Sequence, residues 1–304
     1  MGLDAIPGRE AGELAGWAPL GRAVRTGTWP QQAEATPERI ERALAEGRDA
    51  DAAALARHLV VEAQEIHDLY AEWSLRIPAL IGREPVPDEA FDRGFEAFCE
   101  ACRTFLVHRD LARVLRLWSE AHDAKLDEVA RLVDEAVAVL GEERLGEVWA
   151  DLQRDGSAFY RATYGPDRPW AASAQRLVQA AIEGMHGHLG GPLRRGEVTV
   201  AEHEDRIALT FATCGSGGRI LAGGRHGVVA GTHDFAWRTP GVCTYCVHCC
   251  VLQQLGPIDD LGYPARVIDP PTRAGDPCTW TVYRDPALVP DDAYTRVGRR
   301  RDAG

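Results

Sequence analysis

The apolar residues change their spacing near residue 165, and this change constrains the fold more than any other feature. Up to about residue 164 they recur three and four positions apart, which is typical of amphipathic helices. Gly165-Pro166 stops that pattern. One more helix is expected over Trp170–Leu189, and apolar and polar residues then alternate as in half-buried strands. We therefore expect an α+β fold, in which a helical N-terminal region precedes a small antiparallel four-stranded sheet with helices packed on it.

The same patterns divide the chain into four segments. We expect an irregular N-terminal arm over residues 1–35, a helical domain over 36–165, an α+β cysteine-rich domain over 166–286 and a solvated tail over 287–304. The helical domain opens at Thr36-Pro37-Glu38, where threonine would cap the helix, proline would occupy its first turn and the acid would lie near its positive end.

Individual elements follow from the spacing within these segments. Helices of the helical domain are expected over about 50–76, 88–107, 110–139 and 142–162, and Pro78 is expected to end the first. Strands are expected over 197–203, 206–213, 265–269 and 278–284, with a turn at Glu204-Asp205 between the first two. A flexible Gly-rich stretch over 214–231 and a short helix over about 245–256 would connect the second strand to the third.

The charge balance limits the partners. The chain has 46 acidic and 34 basic residues, for a net charge of −12. Binding to nucleic acid requires a basic surface that meets phosphates, so nucleic acid and anionic membranes are disfavoured. No stretch approaches the ~18 apolar residues of a membrane-spanning helix. The N-terminus shows no basic start followed by an apolar run, so no secretory signal is expected and the protein is interpreted as cytoplasmic.

The eight cysteines are concentrated near the C-terminal end, where six fall in the last third of the chain. Two C-x-x-C spacings overlap in the segment Cys243-Thr-Tyr-Cys246-Val-His248-Cys249-Cys250. On a helix, the sulfurs of Cys246, Cys249 and Cys250 would share one face. Reduced thiols in that arrangement suit a thiophilic transition metal, with zinc the first choice. The alternative is a buried face of inert thiols.

Further residues could complete such a site. Cys214 ends a predicted strand and is the expected distant partner, so the predicted metal ligands are Cys214, Cys246, Cys249 and Cys250. Cys243, His233 and His248 are alternative ligands, although His248 would point away on a regular helix. In the loop before the cluster, His233 and Asp234 are the predicted catalytic residues, because a histidine beside a carboxylate can move protons.

Other polar residues have simpler interpretations. His58, Glu62, Glu65 and Asp68 form a stripe along one predicted helix. A di-iron site would need a second helix with Glu-x-x-His, so a solvated face is the favoured interpretation. The pair Cys99 and Cys102 lies among phenylalanines and is expected in the core, whereas His186 and His188 are expected to cap a helix or face solvent.

A family resemblance rests on several segments together. They are the hairpin ending in Cys214, the cysteine-bearing helix, Gly262-Tyr-Pro-Ala-Arg-Val and Gly275-Asp276-Pro277-Cys278-Thr-Trp. Over about residues 170–285 this order resembles the L-2-amino-thiazoline-4-carboxylic acid hydrolase family and the related bacteriochlorophyll vinyl-reductase type of small-molecule-binding domain. Both tend to end in a hairpin with Gly-Asp-x-x-Cys-x-aromatic, and here the cysteine comes one residue early.

Two functions follow as hypotheses. The first is a zinc-dependent hydrolase that acts on a C–N or C=N bond of a small polar heterocycle or amide, with a metal-free variant in which one cysteine is the covalent nucleophile. The second is a non-catalytic small-molecule-binding or sensor module, in which four thiolates close the coordination of a structural zinc. A small molecule is the expected partner in both, and a homodimer remains open.

Overall fold

A computed structural model of the chain describes residues 13–17, 22–154, 170–224 and 226–301. It confirms the α+β fold, because a series of helices precedes a four-stranded antiparallel sheet and packs on it. The helices before the sheet are α1 (Trp29–Ala33), α2 (Thr36–Ala45), α3 (Asp49–Leu80), α4 (Glu89–Arg103), α5 (Phe105–His108), α6 (Leu111–Leu140), α7 (Leu145–Leu152) and α8 (Trp170–Gly187).

The three longest predicted segments of the helical domain correspond to α3, to α4 with α5, and to α6. Pro78 lies inside the last turn of α3 instead of ending it, since a proline so close to a C-terminus removes few backbone hydrogen bonds. The fourth predicted helix, 142–162, begins as a 3-10 turn over Glu142–Arg144 and continues as α7. The structure thus confirms the beginning of this helix. The part of the prediction beyond residue 154 lies outside the described residues.

The expectation of an irregular N-terminal arm is wrong for the described residues before α2. Strands β1 (Leu14–Trp17) and β2 (Arg22–Arg25) pair antiparallel, and α1 follows them. Four-residue strands are too short to show a clear alternation. The capping prediction for Thr36 is also wrong, because Ala35 is the N-cap of α2 and the Thr36 hydroxyl donates to the Glu62 carboxylate at 2.8 Å.

The sheet contains β3 (Thr199–Glu202), β4 (Arg206–Phe211), β5 (Val267–Asp269) and β6 (Cys278–Tyr283) in the order β3-β4-β6-β5. All neighbours are antiparallel, and Glu204-Asp205 forms the predicted turn between β3 and β4. Phe211 at the end of β4 pairs with Cys278 at the start of β6. This register brings the segment after β4 and the segment before β6 to the same end of the sheet, where the two central strands terminate.

The connection from β4 to β5 is more ordered than expected. The Gly-rich stretch contains helix α9 (Gly217–Gly223), so the prediction of a flexible turn is wrong there. The cysteine segment forms α10 (Val247–Cys250), a π-helical turn over Val251–Leu255 and α11 (Gly256–Leu261). The change from α-helix to π-helix alters the angular spacing of side chains that a regular helix would impose.

The C-terminal segment packs against the rest of the fold. It forms helix α12 (Asp291–Thr295), and the side chains of Tyr294 and Val297 are buried. The Arg299 guanidinium pairs with the Asp259 carboxylate at 2.5 Å. The prediction of a solvated tail is therefore wrong for this part of the chain.

The buried apolar side chains form one continuous cluster that runs from α1 to the residues after α12. It includes Trp73 and Trp149 from the helical part and Phe211 and Trp280 from the sheet. The predicted segments 36–165 and 166–286 therefore differ in secondary structure but share a core. Among the described helices, we find none with the length and apolar character needed to cross a membrane.

Candidate functional site

A narrow cavity lies between the end of the sheet where β4 terminates and the cysteine segment, residues 243–250. Its walls include the thiols of Cys214, Cys246, Cys249 and Cys278 together with the ring of His248. The volume of this cavity is only about 10 Å³. That is about the space one water molecule requires. The cavity can hold a water, an ion or the slender end of a substrate.

The pairing of β4 with β6 explains why distant cysteines meet here. Phe211 lies opposite Cys278, and Cys214 follows Phe211 by three residues. Cys214 therefore lies at the same end of the sheet as Cys278. The structure thus brings the predicted residues Cys214, Cys246 and Cys249 onto one cavity wall. Sequence reasoning missed Cys278 as a member of this group, although the Gly-Asp-x-x-Cys resemblance contained the signal.

Gly217 permits the close approach of the cysteine segment. A Cβ atom at this position would lie 2.3 Å from the Cys246 sulfur. Only glycine therefore fits at this first position of α9, because the segment before α10 lies directly against it. The Cys214 thiol lies on the same side, 3.3 Å from the Ser216 hydroxyl.

Cys249 and His248 form the most specific chemical arrangement in the cavity. The Cys249 sulfur lies 3.2 Å from His248 Nε2, and His248 Nδ1 lies 2.6 Å from the carbonyl oxygen of Tyr245. Nδ1 must donate to this carbonyl, so the lone pair of Nε2 faces the thiol. Removal from water lowers the pKa of His248 to about 4 and raises that of Cys249 well above its usual value. The pair is therefore a neutral thiol beside a neutral imidazole.

The prediction that His248 points away from the cysteines is wrong. It assumed a regular helix through the cysteine segment. In the structure α10 has only four residues and continues as a π-helical turn, and the imidazole reaches the sulfur of its neighbour Cys249. No pattern in the sequence alone indicated this contact.

Cys250, a predicted ligand, faces away from this cavity. Its thiol donates to the carbonyl oxygen of Asp234 at 3.6 Å. Burial raises its pKa to about 12, so the thiol stays protonated. Cys250 directly follows Cys249, and a helix turns successive side chains by about 100°, so the two thiols point in different directions.

The predicted catalytic residues His233 and Asp234 are engaged elsewhere. His233 Nε2 lies 2.9 Å from the Glu142 carboxylate, and its ring stacks on that of Phe235. The Asp234 carboxylate accepts from Arg238 at 2.7 Å. The contact with Glu142 holds the loop before the cysteine segment against the 3-10 turn that precedes α7, and neither His233 nor Asp234 is among the residues that line the cysteine cavity.

A series of buried hydrogen bonds runs from Tyr245, which lines the cavity, to Asp123, which is partly exposed. The hydroxyl of Tyr245 lies 3.0 Å from that of Tyr70, which lies 3.3 Å from His188 Nδ1. His188 Nδ1 is also 3.2 Å from His122 Nε2, and His122 Nδ1 is 2.8 Å from the half-buried carboxylate of Asp123. The expectation of a capping or exposed role for His188 is wrong.

A second polar cluster lies inside the helical part. His58 and Glu62 of α3 are buried, so the interpretation of their stripe as solvated is wrong for these two and right for Glu65 and Asp68. The Glu62 carboxylate lies 3.1 Å from His186 Nδ1. Helix α8 contributes His186 and Glu183 to this cluster, and these two residues form a Glu-x-x-His sequence.

The sequence Glu183-Gly-Met-His186 supplies the second Glu-x-x-His helix, so the interpretation that the chain lacks one is wrong. His58 Nε2 lies 3.7 Å from Glu183 Oε1, but the guanidinium of Arg25 lies beside Glu62 and supplies the positive charge. Across the described residues, no group of three or more His, Cys, Asp and Glu side chains is arranged to hold a metal ion. This holds for the cysteine cavity too, so we derive no chemical step through a metal.

No protein-family model, curated protein or solved structure matches the chain. The resemblance to the L-2-amino-thiazoline-4-carboxylic acid hydrolase family therefore remains a prediction.

We expect the folded protein to lose stability as the pH falls below ~6.5, the ordinary histidine pKa. Burial lowers the pKa values of His122, His186, His188 and His248 in the folded state. The unfolded chain then binds protons that the folded chain does not, so stability is full above the unfolded pKa and falls toward the folded pKa. Urea denaturation midpoints between pH ~7.5 and ~4.5 measure the effect.

Single variants locate the source of this pH dependence. His248→Asn removes one buried imidazole and should flatten the dependence, whereas His108→Asn alters an exposed histidine and should leave it unchanged. A urea midpoint that does not move over this pH range would contradict the prediction.

Proposed function

We propose that the protein is a cysteine-dependent hydrolase that acts on a C–N or C=N bond of a small polar substrate. Cys249 would be the nucleophile and His248 the general base. The observation that carries this proposal is the 3.2 Å contact between the Cys249 sulfur and His248 Nε2, with the imidazole oriented by the Tyr245 carbonyl. A nucleophile, a base and a group that orients the base are the parts of a covalent catalytic site.

The reaction follows from these positions. Nε2 takes the thiol proton as the sulfur attacks the electrophilic carbon, and the imidazolium then returns the proton to the departing nitrogen. The intermediate is a thioester when the substrate is an amide and a thioimidate when it is an amidine. Water, deprotonated by the same imidazole, hydrolyses this intermediate, and the imidazolium returns the proton to the departing Cys249 sulfur. Across the cavity, Gly217 opens helix α9, where the first backbone N–H groups have no acceptor within the helix. The N–H of Gly217 is the candidate donor to the negatively charged oxygen or nitrogen, since the N–H of Arg219 already donates to the carbonyl oxygen of Cys214.

The shape of the cavity limits the substrate. Besides the cysteines and His248, its walls include Pro270, Pro271, Trp237 and Trp280, and its volume admits little more than one water. The cavity would therefore accept the reacting carbon with the one or two atoms attached to it, such as a terminal amide, an amidine or the edge of a small heterocycle. We place this chemistry in the cytoplasm, where thiols stay reduced. The resemblance to a heterocycle hydrolase family favours the same bond type.

The first test measures the reactivity of Cys249 without requiring the natural substrate. Purified protein is treated with iodoacetamide, and peptide mass spectrometry follows the alkylation of each cysteine over time. We expect His248→Asn to slow alkylation of Cys249 by roughly 10²–10⁴-fold, the usual contribution of a general base. Cys99, partly exposed on α4, is the internal control and should react at the same rate in both proteins.

The second test is a hydrolysis screen against small amides, amidines and 2-aminothiazoline carboxylates. Turnover that disappears in Cys249→Ser and persists in Cys250→Ser supports the proposal, since Cys250 faces Asp234. Equal alkylation of Cys249 with and without His248 would reject the assigned base. Turnover that survives Cys249→Ser would reject the nucleophile.

A second candidate function starts from a different observation, that four cysteines line one narrow cavity, although their sulfurs are not arranged as a metal site in this structure. In that case Cys214, Cys246, Cys249 and Cys278 would bind zinc or another thiophilic metal as the structural centre of a small-molecule-binding module. Native mass spectrometry of the purified chain distinguishes the two. A bound metal that is lost in Cys278→Ser and kept in Cys250→Ser would favour the metal centre, and a folded metal-free chain would reject it.

A further inference from the structure

We infer that Cys243 and Cys246 form a redox-active dithiol, which low-molecular-weight disulfides oxidise to an intrachain disulfide. This site is separate from the proposed catalytic pair, because neither Cys249 nor His248 takes part in it. The inference rests on the backbone geometry between the two cysteines and on the contacts that hold the turn between them.

The backbone holds the two cysteines close together. The N–H of Cys246 donates to the carbonyl oxygen of Cys243 at 2.8 Å, which closes a four-residue turn. The ends of such a turn lie less than about 7 Å apart. Disulfides form when the Cα atoms are about 4.4–6.8 Å apart. The turn therefore meets the main distance requirement without movement of the backbone.

The surrounding chain fixes this turn. Cys243 forms an isolated antiparallel bridge with Val228, and the N–H of Val229 donates to the carbonyl oxygen of Val242 at 2.8 Å. Cys246 is held from the other side by Gly217, whose backbone its sulfur approaches closely. The two cysteines are thus held as neighbours in the reduced state.

The two sulfurs differ in access. Cys243 is fully buried and does not line the cavity, whereas Cys246 does. An external disulfide that enters the cavity therefore meets Cys246 first, and Cys243 completes the reaction from behind it.

The dithiol is oxidised by two successive thiol–disulfide exchanges. The Cys246 thiolate, after passing its proton to solvent, attacks one sulfur of the external disulfide and releases one thiolate, which takes up a proton. The Cys243 thiol then loses its proton to solvent, and its sulfur attacks the Cys246 sulfur of the mixed disulfide and releases the second thiolate, which is protonated in turn. Two protein thiols are oxidised, and one external disulfide is reduced to two thiols.

The pair Cys99 and Cys102 provides a matched control within the same molecule. It has the same C-x-x-C spacing but lies inside helix α4. On a helix, side chains three positions apart have Cβ atoms about 5–6 Å apart. Disulfides need about 3.5–4.5 Å. Oxidation of this pair would require distortion of α4, so it should need more strongly oxidising conditions.

The experiment equilibrates the full chain in mixtures of 2-hydroxyethyl disulfide and 2-mercaptoethanol of increasing ratio. Acid quenching, alkylation and peptide mass spectrometry then report each pair. We expect the Cys243–Cys246 disulfide to form at a ratio at least tenfold less oxidising than any Cys99–Cys102 disulfide. A Cys243–Cys246 pair that stays reduced throughout, both pairs oxidising together, or Cys246 bonding to Cys214 or Cys249 would each overturn the inference.

Two variants check the assigned roles. In Cys243→Ser the reaction should stop at a mixed disulfide of mercaptoethanol on Cys246, and the absence of that adduct would contradict the order of attack. In Cys249→Ser the Cys243–Cys246 disulfide should form as in the unaltered chain. Because the main measurement uses the unaltered protein, it does not depend on whether the serine variants fold.

Discussion

Replacement of Arg25 by alanine should lower the free energy of unfolding by about 3–5 kcal/mol, the usual effect of removing one partner of a buried ion pair. The side chains of Arg25 and Glu62 are both buried, and Arg25 Nε lies 3.4 Å from Glu62 Oε1. Although burial alone would raise it, the pKa of Glu62 is lowered to about 2, chiefly by the charge of Arg25. Without the guanidinium, the carboxylate would remain in the core with no cation to compensate it.

The loss should also release the N-terminal strand. Arg25 lies on β2, and its guanidinium donates to the carbonyl oxygen of Gln32 at 2.6 Å and to the hydroxyl of Thr36. The same side chain thus links β2, the start of α2 and the buried carboxylate of α3. A hydrogen-exchange experiment on Arg25→Ala should show faster exchange in β1 and β2 than in α6.

A surface ion pair provides the control for this prediction. Arg42 pairs with Glu34 at 2.5 Å, with its side chain 45% exposed. Arg42→Ala should cost less than about 1 kcal/mol, since solvent screens exposed pairs. The double variant Arg25→Ala/Glu62→Gln should recover part of the stability. Urea denaturation measures all three, and equal losses in Arg25→Ala and Arg42→Ala would contradict the assigned role of burial.

The order and type of the long elements could be predicted from the sequence, because each depends on local apolar spacing. The helix over Leu111–Leu140 was expected over 110–139, and the strand over Cys278–Tyr283 was expected over 278–284. The short β1 and β2 and the helix within the Gly-rich stretch were missed. Too few residues contribute to a period in such elements, and tertiary contacts decide their structure.

The site was predictable only in part. A strand ending at Cys214 and a helix starting near Cys246 placed these sulfurs in one region, as the cavity shows. The inclusion of Cys278 depends on the register between β4 and β6, which no local pattern specifies. The contact between Cys249 and His248 depends on the departure from a regular helix after α10.

The buried charges could not be predicted for a related reason. His58 and Glu62 lie on one helix face, and Glu183 and His186 lie on another, as their spacing indicates. Whether two polar faces meet each other or water depends on how the helices pack, and Arg25 reaches them from a third element. A sequence pattern shows which residues share a face but not which faces are paired.

Gly187→Ala should destabilise the protein by about 3 kcal/mol or more, toward the upper end of the cost of overpacking. A Cβ atom at Gly187, the last residue of α8, would lie 2.0 Å from the backbone carbonyl oxygen of Glu62 on α3. Because the obstacle is backbone, no side-chain rotation can relieve the clash, and the two helices must separate. Separation would also strain the neighbouring contacts of His186 with Glu62 and of His188 with Tyr70.

Gly184, one turn earlier on the same helix, provides the matched control. A Cβ atom there would meet no atom within 4 Å among the described residues. Since alanine favours the helix over glycine by about 1 kcal/mol, Gly184→Ala should raise the urea midpoint while Gly187→Ala lowers it. The opposite signs separate close packing from helix propensity, because both substitutions add the same methyl group to the same helix. If both variants moved the midpoint in the same direction, the close approach of α3 and α8 would not be what requires glycine at position 187.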